Sequence, residues 1–185
     1  DLEIDLVSNN INILNKKGED WKVTVLDTGE KTQTGGRLKR AYEFLKNEEC
    51  FCFTYGDGLA DINISNLISY HRSHEKLATI TAVRPPGRYG ALNCENDLVK
   101  SFHEKPKGGG GRINGGFFVL SPKCITLIEN DNIAWEDYPL KKLAESNELM
   151  AYTHDKFWQP MDTLRDKTIL ELLWKENRAP WKTWK

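Results

Sequence analysis

Residues 50–55 form a short run of apolar and aromatic residues that ends abruptly at Gly56-Asp57-Gly58. Such a run is typical of a strand covered on both faces, which favours a central strand over an edge strand. Residues 63–75 follow with the apolar periodicity of a helix, and residues 77–83 again resemble a strand. Strand, helix and strand at this spacing make a βαβ unit, so the sequence predicts an α/β fold with a parallel sheet.

The rest of the chain supplies further elements of both kinds. Alternating apolar residues predict strands, and the strands become short from Tyr89 onward, with glycine and proline in most connections. Further strands are expected at residues 2–6, at Ile11 and Ile13, and at residues 21–26, 91–93, 98–104, 114–120 and 149–154. Further helices are expected at residues 37–47, 122–130 and 164–176, the last capped by Thr163.

Composition excludes some classes of function. The chain has 26 Lys+Arg and 27 Asp+Glu, which argues against nucleic-acid binding through bulk charge but allows a small basic pocket for a phosphorylated ligand. No apolar run approaches the roughly 18 residues of a membrane span, and no signal peptide is visible. Its four cysteines, Cys50, Cys52, Cys94 and Cys124, lack paired CxxC spacing, so we expect buried, reduced thiols in a cytoplasmic protein.

Two aspartates stand where a ligand site is expected. Asp57 lies between glycines at the carboxyl end of an apolar strand, which is where open α/β sheets bind ligands. The alternative is an ordinary Asp-Gly turn. Asp162 precedes the last predicted helix, where a carboxylate either complements the helix dipole or serves as a second metal ligand. The pattern alone leaves both alternatives open for Asp162.

A charged pair follows the strand predicted at residues 98–104. Lys105 could meet a phosphate as a point charge, and Glu104 could accept hydrogen bonds from sugar hydroxyls. The alternative is an exposed ion pair at a strand end. Residues 108–111 are four glycines, but they lack the GxxxxGK[ST] pattern and no helix follows, which favours a flexible loop over a phosphate loop.

Taken in order, several segments make the chain resemble the sugar-phosphate nucleotidyltransferase family over residues 20–185. The elements YGDG, EKP, NGGFFVL and MDT carry the wider family resemblance. The segments TGGRLKR, PPGRYGAL and WQPMDTLRDK point to its cytidylyltransferase branch. The matching stretches are LDTG (26–29), TGGRLKR (34–40), FTYGDG (53–58), PPGRYGAL (85–92), SFHEKPKG (101–108), INGGFFVL (113–120), FWQPMDTLRDK (157–167) and APWKTW (179–184).

The resemblance implies a role for each candidate residue. Asp57 and Asp162 would be the catalytic pair that holds Mg²⁺, and Lys105 would fix the sugar phosphate. The sugar pocket would be lined by Tyr89, Gly90, Glu104, Asn114 and Gly115. The nucleotide would lie near Gly35, Gly36 and Arg37.

The resemblance also implies a reaction and partners. CTP and glucose 1-phosphate would be converted to CDP-glucose and pyrophosphate by in-line, Mg²⁺-assisted attack on the α-phosphorus. The implied fold is a Rossmann-like, mostly parallel mixed sheet with helices on both faces and a small β-rich sugar-binding part. A homo-oligomer without nucleic-acid or membrane partners is implied. The single domain would divide into a nucleotide side, residues 1–88, and a sugar-phosphate side, residues 89–185.

One family feature is absent from the sequence. Members begin with a strand and a glycine-rich GGxGTRL loop that grips the triphosphate, and no such motif occurs here. We therefore expect that the chain is a piece of a longer protein that lacks the first βαβ portion of the fold. Two rivals remain: a non-catalytic sugar-phosphate or sugar-nucleotide binding module, and a metal-dependent glycosyltransferase. The absence of a DxD motif at Asp57 speaks against the glycosyltransferase.

Overall fold

A computed structural model describes residues 2–13, 21–85, 91–95, 98–103 and 111–184. Ten strands are present in this part of the chain: β1 (Leu2–Asp5), β2 (Asn10–Ile13), β3 (Phe51–Thr54), β4 (Gly58–Ala60), β5 (Ala78–Val83), β6 (Ala91–Glu95), β7 (Leu98–His103), β8 (Ile113–Leu120), β9 (Leu149–His154) and β10 (Trp158–Pro160). The helices are α1 (Thr34–Arg40), α2 (Tyr42–Leu45), α3 (Ile64–His74), a 3₁₀ helix (Pro122–Leu127), α4 (Tyr138–Glu145) and α5 (Leu164–Lys175).

The main sheet has the strand order β3-β8-β5-β9. Strand β8 pairs antiparallel with both β3 and β5, whereas β5 and β9 are parallel. Because β3 and β5 both oppose β8, they run in the same direction, with α3 as their crossover. The predicted βαβ unit is thus present, with an antiparallel strand inserted between its two strands. Three two-stranded antiparallel ladders, β1-β2, β4-β10 and β6-β7, complete the pairing of the described residues.

Helices cover both faces of this mixed sheet, as predicted. Along β8, Phe118 and Leu120 pack in one buried cluster with the 3₁₀ helix and α4. Val119 points the other way and packs with Leu67 of α3. This division follows from the two-residue period of a strand, which sends neighbouring side chains to opposite faces. The fold is the predicted α/β class.

The edge position of β3 corrects one expectation. We expected residues 50–55 to be a central strand, but β3 pairs with β8 alone among the described strands. Phe51 and Phe53 pack against the larger buried cluster, while Cys52 and Thr54 on the other face are exposed. The apolar run indicates one buried aromatic face, because its alternate positions hold a small thiol and a hydroxyl.

The cysteines divide between core and surface. Cys124 is buried, and burial raises the pKa of its thiol to about 12. Cys50 is half-buried and Cys52 is exposed, so the expectation of buried thiols is wrong for Cys52. All three are free, and the side chain of Cys94 lies outside the described residues.

Three further segments differ from their predictions. Residues 21–26 form no strand, and Trp21, Val23 and Val25 are exposed, because no described strand pairs with them. The helix expected at residues 122–130 is a shorter 3₁₀ helix. Helix α4 was not predicted. No helix in the described ranges is long and apolar enough to cross a membrane.

Two histidines of α3 enclose a buried threonine of β5. His71 Nδ1 and His74 Nε2 lie 2.9 and 2.7 Å from Thr79 Oγ1, and His74 Nδ1 accepts a hydrogen bond from the Lys76 amide. Burial is the main cause that lowers the pKa of both histidines. The arrangement therefore favours neutral imidazoles in the folded chain.

We expect the free energy of unfolding to fall as the pH drops below about 6.5, the ordinary pKa of histidine. Because the folded pKa values of His71 and His74 are lowered, the unfolded chain binds more protons in this range. The contribution of the neutral histidines to stability is fully present above about pH 6.5, and it is lost as the pH falls toward their folded pKa values. Urea unfolding above and below this pH measures how much the free energy of unfolding changes with pH, and the change should be smaller for His74→Gln than for the wild type. An equal change in both proteins would contradict a contribution of His74 to the pH dependence.

Candidate functional site

The ladder between β4 and β10 brings the two candidate metal ligands together. Pro160 pairs with Gly58, and one step further the Met161 amide donates a hydrogen bond of 2.7 Å to the Asp57 carbonyl. Asp162 follows Met161 directly. The two aspartates, far apart in sequence, therefore lie at the same end of one two-stranded ladder.

A capping box fixes the segment that carries Asp162. Thr163 Oγ1 accepts a hydrogen bond from the Asp166 amide, and Asp166 Oδ2 accepts one from the Thr163 amide. Gln159 on β10 also donates to Asp166 Oδ1 at 2.9 Å. Capping of α5 is thus performed by Thr163, as predicted, together with Asp166. The role of Asp162 itself remains a prediction.

A clamp formed by Asp61, His154 and Phe157 holds the other end of the β4–β10 ladder. Asp61 Oδ1 lies 3.0 Å from His154 Nε2 and accepts a hydrogen bond of 3.0 Å from the Phe157 amide. His154 is buried at the end of β9. These contacts tie the ladder to the main sheet. Sequence reasoning missed this clamp, because neither Asp61 nor His154 belongs to a recognisable spacing pattern.

The predicted sugar-side residues of β8 lie against the same ladder. Trp158 Nε1 of β10 donates a hydrogen bond of 2.8 Å to the Gly115 carbonyl. A Cβ on Gly115 would lie 2.7 Å from Val83 Cγ1, so only glycine fits there without displacement. Asn114 Oδ1 accepts from the Gly116 amide at 2.8 Å, and Gly116 has φ +76°, the left-handed region. Asn114 and Gly115 thus come close to the segment that carries Asp57.

Helix α1 begins with the predicted nucleotide-side residues. Gly35 and Gly36 are buried against the backbone of residues 131–135, where an added Cβ on either glycine would lie 2.6 Å from a backbone atom. Arg37 is exposed, and its guanidinium donates to Thr28 Oγ1 at 2.6 Å and to the Glu30 carbonyl at 3.2 Å. Packing accounts for both glycines, and their nucleotide role remains a prediction, as does that of Arg37.

Gly36→Ala should lower the free energy of unfolding by roughly 1–3 kcal/mol, because the methyl group would overpack a backbone that cannot rotate away. The added Cβ would lie 2.6 Å from Asp131 Cα and from its carbonyl oxygen. Gly56→Ala is the matched control, since no atom lies within 4 Å of a Cβ there. Urea unfolding checks both variants, and equal stability of the two would contradict the packing account.

Sequence reasoning also missed Glu136, which lies between α1 and the segment that carries Asp57. Its carboxylate accepts hydrogen bonds from Thr34 Oγ1 at 2.8 Å and from the Tyr55 hydroxyl. Burial and then the Glu136 hydrogen bond raise the pKa of Tyr55, so the phenol remains a donor. A groove of about 390 Å³ runs beside this network, between the α1–α2 segment and β3. No sequence motif marks Glu136.

Four predicted site residues, Tyr89, Gly90, Glu104 and Lys105, lie outside the described residues. Within the described part of the chain, no group of three or more His, Cys, Asp or Glu side chains could hold a metal ion. The carboxylate pair Asp57 and Asp162 remains the predicted donor set. Such a pair fits Mg²⁺, which binds proteins through one or two carboxylates and completes its shell with water and phosphate oxygens.

Comparisons with known proteins identify the family of the chain. The chain is 54% identical over 184 residues to the glucose-1-phosphate cytidylyltransferase of Salmonella typhi, covering 100% of this chain and 72% of the relative. It is 42% identical over 167 residues to a probable glucose-1-phosphate cytidylyltransferase of Bacillus subtilis, covering 90% of this chain and 65% of the relative.

A solved structure supports the fold. The crystal structure of a putative glucose-1-phosphate thymidylyltransferase from Bacillus anthracis, in complex with sucrose, superposes with a TM-score of 0.58 at 14% identity. The superposition covers 85% of this chain and 64% of that chain, so it shows a shared fold over a part of the longer protein. Residues 7–166 match the family described as Nucleotidyl transferase. Because this match extends over most of the chain, the chain belongs to the nucleotidyl transferase family.

Proposed function

We propose that this chain carries the metal-binding and sugar-phosphate side of a glucose-1-phosphate cytidylyltransferase. The observation that carries the proposal is the β4–β10 ladder, which places Asp57 and Asp162 at one end, beside Asn114 and Gly115 of β8. Identity of 54% to a relative of that name supports the choice of CTP and glucose 1-phosphate.

The proposed reaction is a direct nucleotidyl transfer. A phosphate oxygen of glucose 1-phosphate forms a bond to the α-phosphorus of CTP, and the bond from that phosphorus to the bridging oxygen breaks. Pyrophosphate leaves with the electron pair, and CDP-glucose remains. The two reacting phosphates are both anionic, so positioning and charge neutralisation are the main requirements. No nucleophilic side chain is needed.

Each residue then has a defined task. Asp57 and Asp162 would hold Mg²⁺, which when bound supplies charge neutralisation at the transferred phosphate. Lys105 would hold the phosphate of glucose 1-phosphate, and Glu104 a sugar hydroxyl. Asn114 would present its amide to the sugar. Their neighbours Tyr89, Gly90 and Gly115 would line the sugar pocket.

The nucleotide side is proposed to lie at the beginning of α1. Arg37 is exposed there, and its side chain is already oriented by Thr28 and Glu30. Gly35 and Gly36 would serve the nucleotide indirectly, because they let α1 approach residues 131–135 closely. The relative of Salmonella typhi is longer than this chain, and we propose that the triphosphate grip is provided by polypeptide beyond these 185 residues.

We also propose that the protein acts in the cytoplasm and that it is a homo-oligomer. Leu6 and Val7, between β1 and β2, are 83% and 96% exposed, which supports an apolar contact with a second copy. Sedimentation of the wild type and of a Leu6→Ser, Val7→Ser variant tests this point. A monomeric wild type would contradict the homo-oligomer.

The function is tested by following product formation in a polypeptide extended to the length of the relatives. We expect CDP-glucose and pyrophosphate to appear only when CTP, glucose 1-phosphate and Mg²⁺ are all present. A panel of ATP, GTP, UTP and dTTP in place of CTP tests the nucleotide. Binding of glucose 1-phosphate without pyrophosphate release from any nucleotide would instead support the binding module.

A further inference from the structure

Glu136 joins two parts of the site that come from different elements. Its Oε2 accepts the Thr34 hydrogen bond, and its Oε1 accepts the Tyr55 hydrogen bond. Thr34 is the first residue of α1, whereas Tyr55 directly precedes the turn that contains Asp57. A single carboxylate therefore connects the proposed nucleotide side with the metal-binding segment.

The Thr34 end of this connection is held by the backbone. The Trp135 amide donates to Thr34 Oγ1 at 2.9 Å, so the threonine hydroxyl accepts from one residue and donates to the next. The Gln33 amide donates to the Asp131 carbonyl at 2.8 Å. The beginning of α1 and the segment that carries Glu136 are thus fixed relative to each other.

The Tyr55 end is held by packing. The ring lies edge-on to Phe53 and Phe118, with centroid distances of 5.8 and 5.7 Å. Asn114 Nδ2 lies 3.5 Å from the Tyr55 hydroxyl, and a Cβ on Gly116 would lie 2.9 Å from the ring. Movement of Tyr55 would therefore disturb Asn114 on the proposed sugar side as well as the turn with Asp57.

We propose that Glu136 is a positioning residue whose carboxylate fixes Tyr55, and with it Asn114 and the Asp57 turn, relative to the Thr34 end of α1. The effect on substrate affinity rests on the proposed function, but the bridge itself does not. The carboxylate offers two acceptor oxygens, one for each hydroxyl. Glutamine has nearly the same shape but one acceptor oxygen, so one hydroxyl must lose its acceptor in Glu136→Gln.

The test compares Glu136→Gln, Tyr55→Phe and the double variant with the matched control Asp137→Asn. Asp137 is the next carboxylate in the chain, and it forms an exposed ion pair with Lys141. Amide hydrogen exchange of the 185-residue chain measures the order of residues 55–58, and calorimetry measures glucose 1-phosphate affinity. Thr34→Val breaks the other end of the bridge and replaces Glu136→Gln if that variant fails to fold, while Thr34→Ser should retain it.

We expect Glu136→Gln and Tyr55→Phe each to speed exchange at residues 55–58 and to weaken glucose 1-phosphate binding by roughly 5- to 30-fold. The double variant should lose no more than the weaker-binding single variant, because both changes break one bridge. Asp137→Asn should match the wild type. Wild-type exchange in Glu136→Gln, or additive losses in the double variant, would overturn the proposal. A wild type that binds no glucose 1-phosphate would contradict the proposed function, while the exchange rates would still decide on the bridge.

Discussion

Replacing either Asp57 or Asp162 by asparagine should reduce Mg²⁺-dependent turnover by roughly 100-fold or more in a polypeptide of the relatives' length. Asparagine keeps the shape of the side chain but removes the charge that a hard divalent cation requires. The backbone hydrogen bond from Met161 to the Asp57 carbonyl does not involve either side chain, so the ladder should persist. Initial rates of pyrophosphate release at increasing Mg²⁺ check the prediction.

Glu171→Gln provides the control for these two variants. Glu171 is an exposed carboxylate on α5 that pairs with Lys167 and Lys175, so its loss removes the same charge without touching the ladder. Its turnover should equal that of the wild type. A near-normal rate at saturating Mg²⁺ for Asp57→Asn or Asp162→Asn would remove that aspartate from the metal site.

Lys105→Ala should weaken glucose 1-phosphate binding on the order of 10- to 150-fold while CTP affinity changes little. A charge-assisted hydrogen bond to a phosphate contributes about 1.5–3 kcal/mol, and this range converts to that loss in affinity. The prediction follows from the SFHEKPKG segment of the sequence, since Lys105 lies outside the described residues. Calorimetric titration with each ligand separately measures the two affinities.

Lys107→Ala is the matched control, because it removes the same charge two positions away in the same segment. We expect it to retain glucose 1-phosphate affinity within about twofold, a difference well below the energy of one hydrogen bond. If Lys105→Ala weakened CTP and glucose 1-phosphate equally, the lysine would serve the nucleotide or the fold rather than the sugar phosphate.

The sequence predicted the convergence of Asp57 and Asp162 only through the family resemblance. Local pattern located Asp57, because glycines on both sides of a carboxylate after an apolar strand are visible in the sequence. Asp162 was ambiguous, because a carboxylate before a helix also serves its dipole. The β4–β10 register brings the Asp162 segment beside Asp57, and it depends on pairing between distant segments, whereas the Thr163–Asp166 capping box is local.

Errors in the fold have a common physical cause. An apolar run such as residues 50–55 reports how hydrophobic its side chains are, but it does not report which strands are available as neighbours. In the part of the chain that the structure describes, β3 pairs with β8 alone and Cys52 is exposed, and residues 21–26 form no strand despite their alternation. Helix α3 was predicted well, because its apolar periodicity is a local feature of the sequence.

The close approach of backbone segments and the side-chain bridges between them could not be predicted from the sequence. Gly35 and Gly36 were expected near the nucleotide, and the structure gives them a packing reason against residues 131–135. The Glu136 bridge links three segments that no spacing rule connects. Such contacts arise from tertiary packing, so they could be found only after the elements had been placed.

Paramagnetic broadening by Mn²⁺ tests most directly whether Asp57 and Asp162 share one metal ion. Mn²⁺ is a hard cation that takes the same oxygen ligands as Mg²⁺. In the isotope-labelled chain, we expect the amide signals of residues 56–58 and 161–163 to broaden together along one saturable curve, and Mg²⁺ should reverse the effect. Because the two segments are hydrogen-bonded to each other, an ion held by one aspartate alone would also broaden both, so the variants decide the point. Asp57→Asn and Asp162→Asn should each move the midpoint of the curve to higher Mn²⁺ concentration, and an unchanged midpoint in either variant would contradict a shared site.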